Sequence, residues 1–214
     1  MSQVYFEVFT EAEKKEFPKL AKFAKIGILA GGTALALQIK HRCSYDFDIF
    51  CSDELSKNLS RQARDIFGKL TIVNRFEDNL TFITSSGAKI TFVYYPFPSL
   101  YPNISTSVIK LFHWRDIALD KAYTIGRRAQ YRDYVDLFFL MKEKKITIDW
   151  IIKNAVKKFE SEFPKKIFLE QIVYFKDLKI FPVEFLREKY TPGEIKSFFE
   201  KVAEQYIKNI FKKK

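Results

Sequence analysis

The residues whose types and spacing could do chemistry cluster between Gly31 and Phe50. A glycine pair, Gly31-Gly32, follows the apolar run Ile28-Leu29-Ala30. Two carboxylates, Asp46 and Asp48, then stand at i, i+2 inside the aromatic and β-branched run Tyr45-Asp46-Phe47-Asp48-Ile49-Phe50. A strand sends alternate side chains to opposite faces, so this run groups Asp46 with Asp48 and Phe47 with Ile49. Two acids held side by side repel, and a hard divalent cation, Mg²⁺ or Mn²⁺, relieves that repulsion. A glycine turn nearby can offer backbone N–H groups to phosphate. The combination points to metal-assisted phosphoryl or nucleotidyl chemistry. An isolated acid pair would suit a solvated sheet edge better; the glycines just upstream favour the site.

Further polar residues could join it. Thr33 could give a hydroxyl to the β- and γ-phosphates at the start of a helix. Arg42 could bind phosphate, or pair with the acids and serve only packing. Ser44 could bond phosphate or hold the strand start. Lys89 opens a later strand and could reach the same cleft, or be an exposed strand-end lysine. A full metal triad would need a third acid on a neighbouring strand, and the expected slot holds Thr91. Farther on, Asp116 and Lys121 share a helix five residues apart, on adjacent faces. Asp133 and Asp136 stand at i, i+3 beside Arg132 and the apolar run Leu137-Phe138-Phe139-Leu140. They could form an ordinary ion-pair lattice or a buried polar network, with Asp136 the better candidate for burial. Lys121 and Arg128 could bind nucleotide phosphate or an acceptor backbone.

Those residues need elements to hold them. Glu11–Lys25 reads as a helix with Phe17, Leu20, Ala21 and Ala24 on one side, and Ile26–Ala30 as a short strand. Thr33–Lys40 reads as a helix, so the glycines mark a strand-to-helix turn. Ser52–Ser56 opens a helix running to Phe67. Leu70–Glu77, Asn79–Thr84 and Lys89–Tyr95 read as strands joined as hairpins or a meander. Pro96, Pro98 and Pro102 then break the chain, giving an α/β core over residues 1–102 and a helical region over 103–214. In the second part Trp114–Ile125 and Arg132–Lys142 read as helices separated by a basic turn, Gly126-Arg127-Arg128. Asp149–Phe163 and Phe185–Lys189 read as helical, while Ile167–Tyr174 fits helix or strand. Thr191-Pro192-Gly193-Glu194 is a helix start with a capping box, and that helix runs to Phe211 before a fraying Lys212-Lys213-Lys214.

The 214 residues are enough for one domain or two small ones sharing a cleft. The formal charge of +11 suits anionic partners, nucleic acid first and nucleotide second, although Lys-rich ion-pair surfaces of heat-adapted proteins look similar. Only two histidines are present, which excludes a His-rich zinc site. Cys43 and Cys51 show no ligand spacing, and no signal peptide or membrane-spanning run is apparent. These features fit a soluble cytoplasmic protein without membrane association.

From Gly31-Gly32-Thr33 through Asp46-Phe47-Asp48 the chain resembles the first motif of the AbiEii-like nucleotidyltransferases. These are toxin components of type IV toxin–antitoxin and abortive-infection systems, within the polymerase-β-like superfamily. Lys89 resembles the family's second motif, Asp116-Ile117 with Lys121 the third, and Arg132-Asp133 with Asp136 the fourth. The resemblance spans roughly residues 25 to 141. It implies a mixed-sheet α+β core followed by a helical lobe. It also implies phosphate binding at Gly31 and Gly32, metal binding at Asp46 and Asp48, and nucleotide contact by Lys121. Asp133 would be the catalytic base and Asp136 a supporting acid. The implied function is Mg²⁺-dependent transfer of a nucleotide from an NTP to RNA, tRNA first, or to protein. The alternatives are a catalytically weak nucleotide- or RNA-binding module and a protein that binds an antitoxin partner.

Overall fold

The computed structural model describes residues 3–128, 130–144 and 146–212. The tail residues Lys213 and Lys214 lie outside the described residues. The chain divides into two compact units, Met1–Trp114 and Arg115–Lys214.

The first unit is built on a five-stranded mixed sheet. Its strands are β1 (Ile28–Ala30), β2 (Asp46–Cys51), β3 (Leu70–Arg75), β4 (Asn79–Thr84) and β5 (Lys89–Tyr94), in the spatial order β1-β2-β5-β4-β3. β3, β4 and β5 form the expected antiparallel meander, and β5 returns parallel to β2. Alternation decides the faces of β2: Phe47, Ile49 and Cys51 are buried, whereas Asp46, Asp48 and Phe50 are half-exposed. The buried face packs on rings from the N-terminal segment, with Phe47 5.6 Å from Phe9 and 6.0 Å from Phe17. Phe23, Phe67, Phe82 and Phe92 continue that core.

The limits of the helical elements in this unit correct the sequence reading. The helix expected over Glu11–Lys25 is two pieces: α1 (Glu11–Glu16), then a 3₁₀ segment at Phe17–Phe23. Pro18 lacks the N–H that a continuing α-helix would need, which accounts for the change. α2 (Gly31–Ile39) begins at the glycine pair itself rather than after it. α2 is apolar on nearly every side and correspondingly buried throughout from Gly32. Its one long polar residue is fully engaged. Gln38 Nε2 donates to the carbonyls of Ala34 and Phe112 at 2.7 and 2.8 Å, and Oε1 accepts from the Trp114 N–H at 2.8 Å. α3 (Leu59–Phe67) starts seven positions later than Ser52, because Ser52–Ser56 stays in turns and irregular backbone.

The second unit is helical: α4 (Trp114–Arg128), α5 (Tyr131–Lys144), α6 (Ile148–Phe159), α7 (Lys165–Gln171) and α8 (Pro192–Lys212). Gly126-Arg127-Arg128 is the last turn of α4 rather than a break. A Cβ at Gly126 would lie 2.8 Å from Pro164 Cγ, so this glycine serves close packing. α6 ends at Phe159 and a short 3₁₀ turn, Glu160–Glu162, follows. The ambiguous segment after it is helical. Phe185–Lys189 is not a helix but bends and irregular backbone, with Arg187 paired to Glu143 at 2.6 Å. Thr191 and Glu194 make both bonds of the expected capping box.

Two buried ion clusters tie α4 to its neighbours. Lys121 Nζ lies 2.8 Å from Asp133 and 2.7 Å from Asp136 of α5. Lys158 of α6 lies 3.0 Å from Asp116 and 2.8 Å from Asp120, with the Lys158 and Asp116 side chains wholly buried. A buried charge with its partner removed costs about 3–5 kcal/mol. Lys158→Met is therefore expected to lower unfolding free energy by about that amount in urea titration. A loss of less than about 1 kcal/mol would show that the cluster contributes as little as a surface pair.

Candidate functional site

The glycine turn and the acid pair meet in the first unit. β1 runs antiparallel to β2 with Ala30 opposite Asp48, which delivers Gly31 against the Asp48 side chain. Gly31 has φ +65°, and a Cβ built on it would lie 2.4 Å from Asp48 Oδ2. Glycine is required here twice, for the backbone conformation and for the space. A Cβ on Gly32 would lie 2.5 Å from Arg42 Nη2 and 3.0 Å from Ser44 Oγ, so Arg42 and Ser44 pack on the second glycine.

Beneath the turn, Thr33 links helix to strand. Its hydroxyl donates to the Asp46 carbonyl at 2.5 Å and lies 2.9 Å from Ser44 Oγ. Thr33 is fully buried and Arg42 is only 2 % exposed, with Nη1 donating to the Cys43 carbonyl at 2.9 Å. These contacts hold the start of β2 against the start of α2.

β5 supplies the other side of the acid pair. Lys89 pairs with Asp46 and Thr91 with Asp48 across the parallel ladder, so all four share one face. Lys89 Nζ is 3.2 Å from Asp46 Oδ2, and both side chains are partly exposed. Thr91 occupies the slot where a third acid was sought, and its hydroxyl bonds Thr81 at 3.2 Å. Among the described residues no group of three or more His, Cys, Asp or Glu side chains is placed to hold a metal. Two carboxylates suffice for Mg²⁺, which is commonly held by one or two carboxylates together with substrate phosphates and water. The all-oxygen donor set of Asp46 and Asp48 on one strand face fits such an ion.

The remaining expected site residues belong to the second unit. Asp133 accepts from Lys121 through Oδ1 and from the Gln130 N–H through Oδ2 at 3.0 Å, so it also caps the start of α5. Asp136 and Asp116 are fully buried in the two ion clusters. Arg128 is exposed at the end of α4, and Arg132 is half-buried.

Lys158 and Glu13 are buried charged residues outside the expected set. Lys158 continues the apolar stripe Ile151, Ile152, Ala155, so its helical position signalled burial. Glu13 is 1 % exposed on α1, where Oε2 accepts from the Thr10 N–H at 2.8 Å and from its hydroxyl at 2.9 Å. The Thr10-x-x-Glu13 spacing signalled that capping box. Burial pushes the Glu13 carboxyl above its ordinary value of 4.5, and the negative charge of Asp46 adds to the rise. Burial also pushes the Cys51 thiol up to about 11, so it stays protonated at neutral pH.

The family described as nucleotidyl transferase AbiEii toxin, type IV TA system, matches residues 16–206. The chain belongs to the AbiEii nucleotidyltransferase family. It is 31 % identical over 209 residues to uncharacterized protein aq_aa25 of Aquifex aeolicus (strain VF5), covering 92 % of this chain and 98 % of that one. The crystal structure of JHP933 from Helicobacter pylori shares the fold at TM-score 0.57 and 18 % identity, over 98 % of this chain and 97 % of that one. A second H. pylori structure matches at TM-score 0.58 and 18 % identity, over 96 % and 99 %. No helix among the described residues is long and apolar enough to cross a membrane.

Two outcomes test this site. Gly31→Ala should displace Asp48 and strain the backbone, costing about 1–3 kcal/mol in denaturant unfolding; an unchanged midpoint would show that the Asp48 contact is not tight. The raised Glu13 carboxyl favours the protonated folded state, so its contribution weakens as pH rises above 4.5. Glu13→Gln should therefore flatten the fall in stability as pH rises above 4.5, measured by urea unfolding. Parallel pH profiles for the two proteins would contradict the assignment.

Proposed function

We propose that this AbiEii-family chain transfers a nucleotide from an NTP to an RNA acceptor, with tRNA the first candidate, as the toxin component beside a cognate antitoxin. One observation carries the reading. The Gly31-Gly32 turn and the Asp46–Asp48 pair converge, with Asp48 lying in the space a side chain at residue 31 would fill. The same glycine turn opens α2, whose first N–H groups suit an anion.

In this reading the β- and γ-phosphates lie at the Gly31-Gly32 turn, at the positive end of α2. Thr33, expected to give its hydroxyl to phosphate, is fully buried and instead ties that turn to the Asp46 carbonyl. Arg42 and Ser44 set the shape and charge of that end from behind the turn. Lys89, partly exposed and beside Asp46, is free to swing from the carboxylate to a phosphate oxygen. Asp46 and Asp48 are the residues that would hold Mg²⁺ or Mn²⁺, which when bound neutralises triphosphate charge and acidifies the attacking hydroxyl. The acceptor oxygen then bonds to the α-phosphorus, the bond to pyrophosphate breaks, and the hydroxyl proton is released to a base. The resemblance gives that base role to Asp133, nucleotide contact to Lys121 and a supporting role to Asp136; Arg128 is a further candidate for phosphate, and Asp116 and Arg132 are supporting residues.

A second reading is favoured by Thr91 at the position opposite Asp48 and by the full engagement of Asp133. It is a nucleotide- or RNA-binding module with weak catalysis. The two separate on one experiment: incubation with each α-³²P-labelled NTP, Mg²⁺ and total RNA, followed by asking which macromolecule is labelled. The transferase reading expects labelled RNA and at least a 100-fold loss with Asp46→Asn or Asp48→Asn, roughly the scale seen when a key electrostatic group is removed. It also expects loss with Asp133→Asn. NTP binding without transfer, together with tolerance of Asp133→Asn, would establish the binding module instead.

A further inference from the structure

The face of β2 that presents Asp46 and Asp48 does not end with them. Phe50 continues it two residues on, about 7 Å beyond Asp48 at the usual strand rise. Its ring stacks on Tyr95 with centroids 4.3 Å apart and planes 21° off parallel. Buried Phe112 supports both rings edge-on, at 5.7 Å from Phe50 and 5.8 Å from Tyr95. Phe97 extends the cluster from Tyr95 at 5.3 Å. Phe50, Tyr95 and Phe97 are all half-exposed, although rings of this size in a core are normally buried.

The sheet register orders this face. Because β1 is antiparallel to β2 and Ala30 lies opposite Asp48, Gly31 and Gly32 lead toward the Asp46 end of the strand. Arg42 and Ser44, packed on Gly32, lie at that same end. Along β2 the sequence of features is therefore glycine turn, acid pair, aromatic shelf. In phosphoryl transfer the attacking and leaving oxygens stand roughly in line across the phosphorus. If pyrophosphate leaves toward the glycine turn, as the proposed function has it, the attacking hydroxyl arrives from the Phe50 side.

On that reading, we propose that the Phe50–Tyr95 shelf stacks the terminal nucleobase of a single-stranded nucleic-acid acceptor. Flat, half-exposed rings accept any base face, and the chain's formal charge of +11 suits the acceptor's phosphates. The shelf thus selects an unpaired end over a protein side chain and leaves the base identity weakly specified.

The test is a short single-stranded RNA bearing 2-aminopurine at its 3′ end, titrated with the full chain in EDTA without NTP. Stacking is expected to quench the probe, and binding should weaken steeply with salt. Tyr95→Leu should weaken binding roughly 5- to 100-fold and abolish quenching. Tyr95→Phe should retain both, and Phe76→Ala, an exposed aromatic on the β3–β4 turn, should change neither. Thermal melts of each variant separate misfolding from loss of the shelf, and Phe97→Leu supplies a second partial-loss variant. Unquenched probe with the parent chain, or Tyr95→Leu binding that equals the parent's while its melt is unchanged, overturns the proposal. So does labelling of protein rather than RNA in the transfer experiment, an outcome that leaves nucleotidyl transfer standing and removes only the acceptor assignment. Absence of any transfer together with quenched, Tyr95-dependent binding overturns the transfer reading and leaves the shelf as an RNA site.

Discussion

The contact between Gly31 and Asp48 is the constraint on which the first unit's chemistry depends. A side chain at residue 31 would collide with the carboxylate, and its φ of +65° is a conformation that L side chains rarely adopt. The contact exists because β1 ends one residue earlier, with Ala30 paired to Asp48, and the chain turns directly into α2. Close approach of a helix start to a strand carboxylate brings backbone donors and acidic acceptors into one small volume. Phosphate and a divalent cation need that combination, and few other ligands do.

Everything around the turn serves to fix it. Thr33 bonds the Asp46 carbonyl, so the first turn of α2 and the first residue of β2 move together. Gln38, at the far end of the same helix, donates both amide hydrogens to Ala34 and Phe112 and accepts from the Trp114 N–H through its carbonyl oxygen. A buried polar group with every partner supplied rigidifies its surroundings, whereas an unsatisfied one would be costly. The Phe47, Phe9 and Phe17 rings press on β2 from the opposite face. The acids therefore stand on a strand clamped from both sides. In the second unit the same logic appears as ion clusters, with α4 contributing Asp116, Asp120 and Lys121 to two separate buried networks.

Much of this was legible in the sequence because its physical cause is local. Period-two alternation assigned Asp46 and Asp48 to one face and Phe47 and Ile49 to the other, since strand geometry depends only on neighbouring residues. The mixed α+β core and helical second part followed from the change of periodicity near the prolines. Features that depend on distant partners were not legible. Lys158 stands on the apolar stripe of α6, but that position does not name Asp116 and Asp120 as its partners. Gly126 looks like a helix stop until Pro164 is found against it. Glu13 sits in a recognisable capping box, yet its coupling to Asp46 arises only when α1 folds onto the sheet. Thr91 reads as the slot for a third acid on a neighbouring strand; its place opposite Asp48 and the bond of its hydroxyl to Thr81 depend on the sheet register.

The most direct measurement of the central claim is anomalous diffraction from crystals grown with Mn²⁺ and a non-hydrolysable NTP analogue. The account predicts a manganese peak between the Asp46 and Asp48 carboxylates, with the β- and γ-phosphates against Gly31 and Gly32. A peak elsewhere, or a triphosphate bound away from the glycine turn with Asp46 still bonded to Lys89, would contradict it.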